Sequence, residues 1–258
     1  MKGSRFKKTI KFWFPIGLAF GLILILVIGF YFRPKQIEPV KFDFQQSNFL
    51  KPSVNPETSP VAEEILNIPD SYTIQNVPFQ SQAPLVNWDQ LHNEACEEAS
   101  INLVYYYLKN KPLTSEEMDQ QILTMVKFEK PDGSDQENLT VEKTLKLAQD
   151  FYKIDGKVIY NASISDLKKE IALNHPVIVP TAGRLLGNPN FRQPGPVYHM
   201  VVAIGYDEKN IIVQDVGTHN GDHYIYNQMI FANAWHDWVG SDANIEQGSK
   251  NMLVLSLK

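Results

Sequence analysis

Residues 12–32, FWFPIGLAFGLILILVIGFYF, contain no charged side chain. As a helix this tract would rise about 31 Å, enough to cross the hydrocarbon core of a bilayer. Trp13 and Tyr31 stand near its two ends, where aromatic rings suit the membrane interfaces. Pro15 falls in the first turn, where a missing N–H costs little. A cleaved signal peptide would have a shorter apolar region ending at a small-residue site. Here the tract ends in GFYFRPK. The segment therefore reads as a retained transmembrane helix. Lys2, Arg5, Lys7, Lys8 and Lys11 precede it, against Arg33, Lys35 and Lys41 soon after. That bias predicts a single-pass protein of the cell membrane, with residues 1–11 as a cytoplasmic tail and the rest outside the cytoplasm.

Residues 33–71 read as a stalk. Pro34, Pro39, Pro52, Pro56, Pro60 and Pro69 stiffen the chain, and no helical or alternating apolar pattern is sustained before VAEEILNI. Phe42, Phe44 and Phe49 leave open an arm packed along the domain instead. The domain proper is expected over 72–258, and the hydrophobic fraction of the whole chain, 43%, fits a folded protein. A formal net charge of −5 gives no reason to expect a nucleic-acid partner. With one cysteine there is no internal disulfide, so the core alone must hold the domain.

Helices come first. Ala99, Leu103, Val104, Tyr107 and Leu108 recur at helical spacing after Cys96. LTSEEMDQQILTMVKF follows, with Thr114 and Glu117 at capping-box spacing, then LTVEKTLKLAQDFY and SISDLKKEIALNH. The period then changes. PVIVPT, HMVVAIGYD, NIIVQDVG, HYIYN and MLVLSL are short β-rich runs, and residues 207–210 make the second and third a hairpin. Helices followed by a mostly antiparallel sheet predict an α+β domain.

Cys96 opens the first helix, on the face of its apolar stripe, where a positive dipole end favours a thiolate. Glu97 and Glu98 are neighbours that helical spacing turns away from the sulfur, as ordinary first-turn acids. A small buried core residue is the competing reading of Cys96. A thiol nucleophile needs a base and an orienting group. His199 begins one strand of the expected hairpin and Asp215 ends the other, so both stand at its open end. Register decides whether they share a face. An oxyanion donor could come from Gln80, Gln82 or Gln90. Asp215, His219, Asp222 and His223 also offer metal-ligating side chains, although HNGD reads better as a turn. The loop-like stretch 181–199 leads into His199 and is placed to border a cleft.

VPFQSQAPLVNWDQLHNEACEEAS, HMVVAIGYD and IIVQDVGT…YIYNQMIFANAWHDW, in that order, resemble the papain-like cysteine peptidases that process bacteriocin leaders. They are most similar to the stand-alone branch of that family. The resemblance spans about residues 72–240. It implies a papain-like peptidase fold, a peptide or protein substrate and amide hydrolysis without a cofactor. It also implies Cys96 as nucleophile, His199 as base and Asp215 as its orienter. Gln82, in the matching VPFQSQ stretch, would complete the oxyanion hole, whereas papain's own six-residue spacing points to Gln90. Glu97 stands where many relatives have glycine, which would alter specificity or mark a branch without activity. The alternative is an inactive peptidase-like domain that binds peptides or cell-envelope polymer.

Overall fold

The structure is a computed structural model that describes residues 68–258. The expected tail, the transmembrane helix and all but the end of the stalk lie outside the described residues. Among the described residues, no helix is long and apolar enough to cross a membrane.

The four expected helices form. They are α2 (Cys96–Leu108), α3 (Ser115–Glu129), α4 (Val141–Tyr152) and α5 (Ile164–Ala172), after a single turn α1 (Gln90–Asn93). Thr114 caps α3 with the reciprocal Glu117 bonds of a capping box, and Ser163 with Asp166 does the same for α5. The five expected strands also form: β3 (Val177–Ala182), β4 (Tyr198–Tyr206), β5 (Asn210–Gln214), β6 (Tyr224–Asn227) and β7 (Met252–Ser256). Two strands were not expected, β1 (Tyr72–Thr73) and β2 (Asp155–Ile159). β1 is too short to show alternation. β2 carries Asp155, Gly156 and Lys157, which break the apolar pattern of a strand. Two further short helices, α6 (Gly183–Leu186) and α7 (Gln228–Ala234), lie beside each other.

All the strands belong to one sheet, in the order β2-β7-β3-β4-β5-β6, and every pairing is antiparallel. β4 is central and buried at all nine positions. β1 takes the edge of β4 beyond β3, at Tyr206 and Gly205. The β4–β5 register slips between Ala203 and Gly205. A Cβ on Gly205 would come within 2.8 Å of Thr73 Oγ1 and 2.9 Å of Tyr72 O, so glycine lets β1 close on this irregularity.

α2 is not the amphipathic surface helix that its sequence suggests. It packs against β4, α3, α4 and β7, and its buried residues include Glu97, Glu98, Ser100 and Asn102. A helix enclosed on several sides has no solvated face for its polar residues. The first-turn acids are therefore buried, contrary to expectation.

Asp237 ties the helical half to the end of the chain. Its buried carboxylate accepts from Val141 N (3.2 Å), Trp238 N (2.8 Å) and Asn251 Nδ2 (2.9 Å). Asp237→Ala would leave these buried donors without their acceptor. We expect a loss of about 3 kcal/mol in urea unfolding, a typical cost for orphaned buried donors.

Candidate active site

The site lies where α2 begins and β4 begins. Cys96, Gln82 and His199 line one cleft of about 870 Å³. Trp88, Phe191 and His219 contribute aromatic walls to it, and the segment 190–197 forms one side. The loop-like stretch before His199 thus does border the cleft, after first completing β3 and forming α6.

His199 and Asp215 are brought together. His199 Nε2 and Asp215 Oδ1 are 2.8 Å apart, and both residues are almost wholly buried. Asp215 lies one residue past the end of β5, where its side chain meets His199 across the sheet end. Three further donors hold the carboxylate: Gly217 N (3.0 Å), Asn188 Nδ2 (3.0 Å) and the Tyr226 hydroxyl. Burial alone would raise the Asp215 pKa. The His199 ring outweighs it, aided by Tyr226 and Gly217, and holds the carboxyl below its usual value. Asn188 and Tyr226 were not singled out from sequence. No local pattern could have marked them, because they stand 27 and 11 residues from Asp215.

The ring of His199 packs edge-on to Phe191, with centroids 5.4 Å apart. Gly217 closes its other approach: a Cβ there would lie 2.8 Å from His199 Cε1 and 2.9 Å from Nε2.

Gln82 is buried and shares the cleft with Cys96. Its backbone N–H donates to Val216 O (2.8 Å), which anchors it beside Asp215. Its Nε2 donates to the carbonyls of His92 (2.8 Å) and Asn93 (2.9 Å), on the segment that leads into α2. Gln90 is exposed, bonds Asp135 (3.1 Å) and faces a different hollow. Gln80 bonds Leu113 O (3.1 Å) and Ser115.

Ala95 gives α2 no side-chain cap, so no cap side chain occupies its first-turn N–H groups. The carboxylates behave differently from the helical-spacing expectation. The Cys96 thiol donates to Glu97 Oε2 at 3.0 Å, and Glu97 Oε1 accepts from Leu139 N at 2.8 Å. Helical spacing directs the Cα–Cβ bond, but a three-torsion side chain in a closed interior can fold back on its neighbour. Burial, then the charge and hydrogen bond of Glu97, push the Cys96 thiol well above its usual value. Burial raises Glu97 itself to about 7. Glu98 is also raised, by burial and then by Glu97.

The alternative ligand set does not converge. Asp215 is engaged by His199, His223 Nδ1 pairs with Asp222 (2.6 Å), and His219 Nδ1 lies 3.3 Å from the Ser81 hydroxyl.

The model of the Peptidase C39-like family matches residues 74–242. The chain belongs to this family. Among solved structures, a protein of Bacillus anthracis described as a C39-like peptidase is similar at 17% identity and a TM-score of 0.49. The match covers 72% of this chain and 98% of that one. No curated protein sequence matches. For a C39-like domain, the cleft holding Cys96, His199 and Gln82 is the candidate active site.

Gly217→Ala should drive the His199 ring off Asp215. The deshielded Nε2 proton of that pair, followed by NMR, is expected to vanish in the variant while the fold is kept. An unchanged resonance would mean that Gly217 is not what holds the ring.

Proposed function

We propose that the protein is a cysteine peptidase, anchored by residues 12–32 and acting outside the cytoplasm on a peptide or protein. The observation that carries this reading is that Cys96 and His199, the latter paired with buried Asp215, line one cleft in a C39-like domain.

The chemistry follows from the donors in place. With Nε2–H directed at Asp215, His199 keeps a lone pair on Nδ1. That nitrogen takes the proton of Cys96, and the thiolate attacks an amide carbonyl. The first-turn N–H groups of α2 and Gln82 Nε2 receive the oxyanion. Gln82 must exchange one of its two carbonyl partners to do so. Imidazolium protonates the leaving amine, and water then splits the acyl-enzyme with His199 again as base. No step calls for a cofactor.

A library of fluorogenic peptide amides tests the reading. Cys96→Ala should abolish hydrolysis, and His199→Ala should lower it by roughly a thousandfold or more. Gln82→Ala should cost about a hundredfold in kcat. Hydrolysis that survives Cys96→Ala would overturn the assignment and favour the inactive, peptide-binding alternative.

The anchor is supported by the uncharged 12–32 tract and the basic residues before it. The full chain should sediment with membranes and resist carbonate extraction. Its C-terminal domain should be digested by protease added to intact cells. Protection of that domain would reverse the proposed orientation.

A further inference from the structure

Glu97 is not used by the mechanism above, yet it holds the reacting atom. Its carboxylate accepts the thiol hydrogen of Cys96 at 3.0 Å, while its other oxygen is fixed by Leu139 N at 2.8 Å. We propose that Glu97 controls the proton on Cys96, holding the thiol unreactive when it is ionised and stabilising the thiolate when it is protonated. This rests on the peptidase reading of Cys96.

The two states follow from hydrogen-bond roles. A carboxylate is an acceptor only, so it pairs with S–H and repels S⁻. A carboxylic acid carries one donor O–H, which can point at S⁻. In the second state the thiol proton moves from Sγ to His199 Nδ1, and Glu97 keeps its own proton. The charge made is one thiolate and one imidazolium, with Asp215 already ionised beside the ring.

The surroundings make Glu97 switchable near neutrality. From its own helix Cys96 and Glu98 face it, from α3 Glu129, and from β4 Tyr198. Among the leading influences on Glu97, the neighbouring charge is that of Glu129, which raises it further. Burial raises Glu97 to about 7 from an ordinary 4.5. Its contribution to stability is therefore full below about 4.5 and is lost as pH rises through about 7. The fold favours the protonated form, which is also the form that activates the thiol.

The test is the rate of Cys96 alkylation by iodoacetamide as a function of pH, on the full chain. In the wild type, the rise of rate with pH should flatten near pH ~7, as Glu97 ionises. Glu97→Gln presents a permanent N–H donor without charge. It should remove the flattening and raise the rate at pH 8 by roughly tenfold, about one pKa unit of the thiol. Glu97→Asp keeps the charge and should keep the flattening. A wild-type profile with no break between about pH 6 and 8, or a slower Glu97→Gln, would overturn the proposal, and the wild-type profile does so even where a variant fails to fold. Failure of the peptidase reading has a separate signature, alkylation of wild type that is indifferent to His199→Ala.

Discussion

Strand β4 is buried along its whole length and is paired on both edges. Its polar groups, the Tyr206 hydroxyl excepted, find partners inside the protein. Backbone groups find theirs in β3, β5 and β1. His199 is the strand's one strongly polar side chain apart from the tyrosine hydroxyls at its ends, and it is almost wholly buried. Its position near the start of β4 places the ring beyond the last registered pair with β5, Val202 with Gln214. That gap is where Asp215 turns in. The carboxylate is itself enclosed, so Asn188, Tyr226 and the Gly217 N–H satisfy its remaining lone pairs. A half-satisfied buried pair would be costly, and a complete one fixes the ring's orientation.

The same closure accounts for Gln82. The segment 74–82 starts beside the far end of β4, with Ile74 N bonded to Ile204 O, and reaches the end that holds His199, with Gln82 N bonded to Val216 O. Gln214, at the end of β5, reaches Val77 O from the other side. Gln82 is thereby delivered between Asp215 and the start of α2. Its amide bonds to His92 and Asn93 pin the segment that sets the entry angle of that helix. Cys96 and His199, 103 residues apart in the numbering, share a cleft because α2 packs against β4, and Gln82 ties the segment before α2 to the backbone beside Asp215.

Much of this was legible in the sequence, and the failures have physical causes. Periodicity located α2 to α5, the five longer strands other than β2, and the 207–210 turn, because burial on one face imprints a period. The order of helices and strands gave the α+β class. Gln82 was separable from Gln90 only through a family motif, since spacing is blind to which glutamine the sheet end captures. Asn188 and Tyr226 left no local trace. They act at long sequence distance, and either could have been an ordinary loop or strand residue. The clearest failure is at Glu97 and Glu98. Neighbour rules on a helix assume a solvent side, and α2 has almost none. Sequence gives the direction in which Cβ leaves the helix. It does not give where a long side chain ends once every direction is enclosed.

That failure bears on how Cys96 could react at all. The start of α2 offers roughly half a positive charge spread over several N–H groups. When ionised, Glu97 sets a full negative charge at hydrogen-bond distance from the sulfur. In a buried site both act through low dielectric, so neither is screened away. Burial first, and then the ionised carboxylate at 3.0 Å, outweigh the diffuse partial charge and push the thiol well up. A helix N-terminus is therefore insufficient to activate this cysteine while Glu97 is ionised. Two changes reverse the balance. One is protonation of Glu97, which turns the repulsion into a donor. On the proposed mechanism, the other is transfer of the thiol proton to His199, which makes an imidazolium beside Asp215. Protonated, Glu97 stays at the sulfur as a donor, so on the proposal above the carboxylate need not signal a dead site. It makes the thiolate conditional, and the condition is set by the burial of α2 rather than by the cysteine itself.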